Sequence, residues 1–154
     1  MGYCITNTDT CLCIKRENIS AALLAIKAMC ETVDDREPRF AWIDTKRVLA
    51  AETLEDALNE WRWDISEDNE GNIIGLTFSG EKLGDDEDLF TNLAPFIEHR
   101  GFIEIRGEDD AQWRWVFWRG EFRTEYPFIT WPYEQVTPAM ELAEEIGEEL
   151  AETA

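Results

Sequence analysis

GFIEIRGEDDAQWRWVFWRGEFRTEY, residues 101–126, decides the fold. Phe102, Ile103 and Ile105 read as one strand and residues 107–110 as a turn. Residues 113–118 read as a second strand, and Arg119-Gly120 as the reversal into a third over residues 121–126. Side chains alternate across a strand, so Trp113, Trp115 and Phe117 share one face while Arg114, Val116 and Trp118 share the other. The first set is the expected core face. The second is mixed, so it is either half covered by a helix or open to a partner. Three antiparallel strands at the centre of a sheet follow.

N-terminal to this stretch, residues 3–6 and 11–15 read as a hairpin around Asn7-Thr8-Asp9-Thr10. A helix follows, capped by Asn18 or Ser20, with Ile19, Ala22, Leu23, Ile26, Met29 and Cys30 on one stripe. Residues 31–39 read as a polar loop and residues 40–44 as a short strand. Thr53 is a helix cap ahead of Leu54, Ala57, Leu58 and Trp61. A second hairpin is expected from residues 61–65 and 73–78 around a turn at 67–71. Asp85 caps a helix carrying Leu89, Phe90, Leu93, Phe96 and Ile97, which Pro95 bends or whose regular part it ends, with His99 and Arg100 near its negative end and Gly101 able to adopt the left-handed cap. C-terminal to the stretch lie an aromatic loop with Pro127, Trp131 and Tyr133, then a last helix started by Thr137-Pro138. That order predicts an α+β fold with an antiparallel sheet and helices mainly on one face. Residues 1–133 form the expected single domain, and 134–154 an acidic helix docked on it or extending from it.

With 154 residues and 44% apolar content the chain can bury a core of its own. It contains no apolar run that would span a bilayer and no signal-peptide pattern, which makes a soluble, cytoplasmic protein the expectation. Gly2 with Thr6 fits a myristoylation pattern, although an opening strand explains the same residues. Cys4, Cys11, Cys13 and Cys30 read as reduced thiols. Zinc is disfavoured by the absent CxxC spacing and by a lone, distant His99. Calcium is disfavoured because the loop from Asp64 has Asn69 and Gly75 where glycine and glutamate belong. Neither a phosphate loop nor a nucleophile elbow occurs, so no catalytic residue, metal or cofactor is assigned and a non-enzymatic protein is expected.

The net charge of −20 is the global anomaly, and it is uneven. Residues 52–110 hold eighteen acids against four bases, and residues 134–154 hold seven against none. Four clusters stand out: Glu67, Asp68 and Glu70; Asp85, Asp86, Glu87 and Asp88; Glu108, Asp109 and Asp110; and Glu141, Glu144, Glu145 and Glu148. Solubility explains such charge, and so does a surface that attracts a basic partner. Duplex phosphates would be repelled, which disfavours direct nucleic-acid binding. A different reading starts from the Trp-Arg-Trp triplets at 61–63 and 113–115. Arg62, Trp63, Arg114 and Trp118 would line a pocket for a nucleotide, or each arginine would pair with an outer-face carboxylate such as Asp64 or Glu104.

MGYCIT at the start, TLEDAL followed by WRWD, FSGEKLGD, and LAPFIEHRGFIEIRGEDDAQWRWVF give the chain its resemblance. It resembles a family of small proteins common in bacterial and bacteriophage genomes. The likeness covers residues 1–117, is most specific over 79–117, and carries no catalytic assignment. It implies a mobile-element origin, in which small acidic proteins often inhibit host defence or nucleic-acid enzymes. The expected partner is therefore a basic host protein, met by a DNA-mimic-like acidic surface. An immunity protein to a basic toxin would share that surface.

Overall fold

The computed structural model describes residues 2–31 and 40–132. In chain order these form β1 (Ile5–Cys11), α1 (Ile19–Cys30), α2 (Thr45–Ala50), α3 (Leu54–Glu60), β2 (Trp63–Glu67), β3 (Ile73–Phe78), α4 (Asp86–Leu93), β4 (Gly101–Gly107), β5 (Gln112–Trp118) and β6 (Glu121–Glu125). The fold is α+β. One antiparallel sheet has the order β1-β4-β5-β6, and β2 with β3 forms a separate two-stranded ladder. The readings of residues 32–39, of Tyr133 and of the acidic helix over 134–154 lie outside the described residues.

The alternation in residues 101–126 produces β4, β5 and β6 as expected, with Ile103 opposite Trp115 and Phe117 opposite Phe122. Arg119 and Gly120 make the reversal with φ of 51° and 79°. Trp115 and Phe117 are fully buried on the core face, while Arg114 points outward. α4 presses Phe90 between them, 5.3 Å from the Trp115 ring and 5.8 Å from Phe117. Trp63 completes the cluster at 5.0 Å from Phe90. Each such aromatic buries enough apolar surface that truncation to alanine costs about 3–5 kcal/mol.

β1 is not half of a hairpin. It runs as one strand along β4, with Ile5 opposite Gly107 and Cys11 opposite Phe102, and the expected turn at Asn7–Thr10 is a bulge between Asn7 and Asp9. The polar residues that suggested a turn bridge the two sheets. Asn7 Oδ1 accepts from the Phe78 amide at 3.1 Å and Thr10 Oγ1 from the Leu76 amide at 3.5 Å. At the flanks the backbone does the same, Leu83 N donating to Tyr3 O at 2.8 Å and Ile14 N to Ile73 O at 2.8 Å. The edge of β1 away from β4 is thus tied to β3 and to the segment that follows it.

Three local readings change. Residues 40–44 form a bend and turn instead of a strand, because Asp44 caps α2, an element the apolar pattern did not show, by accepting from Lys46 N and Arg47 N. β2 begins at Trp63, since Trp61 closes α3 and Arg62 takes a left-handed φ of 70°. Before β4 the left-handed residue is Arg100, at φ 73°, instead of Gly101. Glycine is needed at 101 for space, because a Cβ there would sit 3.1 Å from that of Leu12. The Thr53 cap holds, its Oγ1 accepting from Asp56 N at 3.1 Å, and Pro95 does end the regular helix.

Candidate partner-binding surface

The tight turn between β4 and β5 is closed by Gly107 N donating to Ala111 O at 2.8 Å and by Asp110 at φ 65°. Tyr3 lies against it. The Tyr3 hydroxyl donates to Asp109 Oδ1, and Glu108 N donates to Cys4 O at 3.0 Å. Because Leu83 N donates to Tyr3 O on the other side, residues 81–83 and the turn 108–110 flank the same two-residue segment. The hydrogen bond to Asp109 pushes the Tyr3 phenol up to about 12 and holds the Asp109 carboxyl below its ordinary value. Burial, then the neighbouring Glu108, raises the Cys4 thiol. This end of the molecule therefore gathers Glu81, Glu108 and Asp109 around Lys82, while Glu87 and Asp88 are exposed on the first turn of α4; none of the five makes an ion pair with a described cation. Asp110 is the exception, at 3.0 Å from Arg106.

Asp85 and Asp86 have been drawn inward. Asp85 makes no side-chain cap on α4; its Oδ2 accepts from Ala41 N at 2.7 Å and ties down the chain ahead of α2. Asp86 is fully buried and accepts from Trp63 Nε1 at 2.9 Å, Gly84 N at 2.9 Å and Arg62 at 3.2 Å. Asp86 is consequently removed from the expected surface, since a fully buried carboxylate can touch no partner. Arg62 pairs with it instead of with Asp64, while its other nitrogen donates to Lys82 O at 2.6 Å.

Glu67, Asp68 and Glu70 lie elsewhere. Their turn follows β2 and reaches the Ile14 end of β1, opposite to Tyr3, where Asn72 Oδ1 accepts from Arg16 N at 2.9 Å. Asp68 is consumed by its own turn, accepting from Glu70 N, Asn72 N and Asn72 Nδ2, each at 2.9 Å. The Asn72 hydrogen bonds lower its carboxyl. The acids are thus divided between two ends of the molecule, and Glu141, Glu144, Glu145 and Glu148 fall outside the described residues.

The residues of the nucleotide-pocket reading do not converge. Trp63 is in the core and Arg62 is held by Asp86. Arg114 and Trp118 occupy the outer sheet face, where Arg114 pairs with Glu104 at 2.8 Å as expected and lies 4.4 Å over the Phe102 ring. Trp118 is instead packed by His99, ring centroids 4.2 Å apart. His99 is no helix cap: its Nδ1 accepts from Arg119 N at 3.2 Å across the β5–β6 reversal. Among the described residues no three His, Cys, Asp or Glu side chains converge as a metal-ligand set, and no helix is long and apolar enough to cross a membrane. Sequence reasoning missed Tyr3 and Glu81, whose partners lie far along the chain, and nothing local marks them. No family model, curated protein or solved structure matches the chain.

Proposed function

We propose that this protein is a non-enzymatic acidic interaction protein that binds a basic surface on another protein, in the manner of a mobile-element inhibitor of a nucleic-acid-binding host factor. The observation that carries the reading is the Tyr3 end, where Glu81, Glu108 and Asp109 stand without described cationic partners, with Glu87 and Asp88 exposed on the first turn of α4. The Tyr3–Leu83 and Cys4–Glu108 backbone bonds hold the segments carrying Glu81 and Glu108 on either side of residues 3 and 4. Their field adds to a net charge of −20, which speeds encounter with a cationic surface and repels duplex phosphates. The resemblance to bacterial and phage proteins supports the choice of partner.

The test is affinity capture of a basic partner, followed by titration of the purified pair over a range of salt. Binding should weaken steeply as salt rises, because exposed charges are screened beyond about 10 Å at 0.1 M. The triple variant Glu87→Gln, Asp88→Asn, Glu108→Gln should slow association while leaving the fold unchanged. Salt-insensitive binding, or full binding by the triple variant, would overturn the reading.

A further inference from the structure

Where β5 begins and β6 ends lies a pocket of about 250 Å³, beside Trp113, whose ring stacks on Tyr3 at 6.3 Å. Trp113, Tyr126 and Pro127 supply its apolar lining, and Glu104, Arg114 and Glu125 its charges. Arg114 is already engaged, with Nε 2.8 Å from Glu104 Oε2 and its guanidinium over Phe102. Glu104 also accepts from Thr8 Oγ1 at 3.1 Å. Glu125 stands opposite Arg114 in the β5–β6 register yet makes no ion pair with any described residue. Two carboxylates against one guanidinium leave a net charge of −1 in the pocket, set in a chain of −20. An anion would have to displace Glu104 from Arg114 against that field. A cation meets the Glu125 carboxylate, unpaired among the described residues, with Tyr126 lining the same pocket.

Resting on the proposed function, we propose that this pocket receives an arginine side chain of the basic partner, its guanidinium held by Glu125 and stacked on Tyr126. Arginine fits better than lysine. A planar guanidinium can bond a carboxylate in bidentate fashion while its face lies on an aromatic ring, whereas an ammonium is a compact, strongly hydrated point charge.

The test uses the full chain labelled with ¹⁵N and titrated with acetyl-Gly-Arg-Gly-amide, its lysine analogue and its neutral citrulline isostere. The arginine peptide should shift the Trp113 indole N–H and the Glu125 and Tyr126 amides, leaving the Trp118 indole in place. Affinity should fall about tenfold for citrulline, less for lysine, and about tenfold for arginine on Glu125→Gln. Glu125 is exposed, so that variant should keep the wild-type thermal midpoint. Equal binding of citrulline, no effect of Glu125→Gln, or shifts at Trp113 from adenosine monophosphate instead would overturn the assignment. The two proposals fail separately. Peptide binding with no basic partner would sink the proposed function alone. Partner binding that is indifferent to Glu125→Gln, with no peptide shifts, would sink only the arginine pocket.

Discussion

Trp63 Nε1 donates to Asp86 Oδ1 at 2.9 Å with both side chains fully buried. Asp86 also holds Arg62 at 3.2 Å, so one carboxylate joins the start of α4, the start of β2 and the turn between α3 and β2. Removing one member of a buried charged pair strands the other, at a cost of about 3–5 kcal/mol. Asp86→Ala should therefore destabilise the protein by about that much in urea unfolding. A loss under about 1 kcal/mol, the level of an exposed pair, would show that the network contributes little.

Tyr3 and Asp109 couple stability to pH in two windows. The folded phenol titrates near 12 against an ordinary value of 10.0, so its contribution is complete below 10 and is lost as pH rises through about 12. Asp109 is shifted down from 3.8, so its contribution is present above 3.8 and is lost as pH falls through the lower folded value. In absorbance titration one of the three tyrosines should ionise late, and Asp109→Asn should return it toward the ordinary range. An unchanged titration in Asp109→Asn would refute the coupling.

Gly107 owes its place to Tyr3. A Cβ at 107 would fall on the Tyr3 hydroxyl and the adjoining ring carbon. Gly107→Ala should displace the ring and cost about 1–3 kcal/mol, the usual range for forcing extra volume into a packed site. In a Tyr3→Ala background the same substitution should cost much less, so a double-mutant cycle gives a coupling of about 1 kcal/mol or more. Additive costs would mean that the ring is not what excludes a side chain.

Thiol reactivity should follow exposure and thiolate character. Cys11 is exposed, Cys4 and Cys13 have thiols raised chiefly by burial, and Cys30 is buried on α1. With a disulfide reagent at neutral pH, Cys11 should react first, Cys4 and Cys13 more slowly, and Cys30 at the rate of unfolding. Mass mapping of the first modified site checks the order, and early labelling of Cys30 would contradict the packing of α1.

What was legible in the sequence was whatever depends on near neighbours along the chain. The alternation at Trp113, Trp115 and Phe117 fixed which face of β5 is buried, and the stripe from Ala22 to Cys30 fixed the inner side of α1. The acidic clusters could be counted, but not located relative to one another. Asn7–Thr10 has the composition of a turn and forms a strand bulge, because β4 and β3 supply hydrogen-bond partners that no local turn could offer.

By itself, then, the sequence determined the element types of residues 101–126 and of α1, α3 and α4, the core face of the central strands and the excess of negative charge, since all three follow from spacing and composition; it missed α2 and misread residues 40–44. Only the tertiary structure decided that β1 pairs with β4, that Asp86 is buried on Trp63 while Glu87 and Asp88 remain outside, and that Glu67–Glu70 sits at the other end of β1 from Glu108–Asp110. The physical reason is one of range. A carboxylate beside a helix start reads the same whether it faces water or a buried indole, and the difference arises only when segments distant in the chain meet.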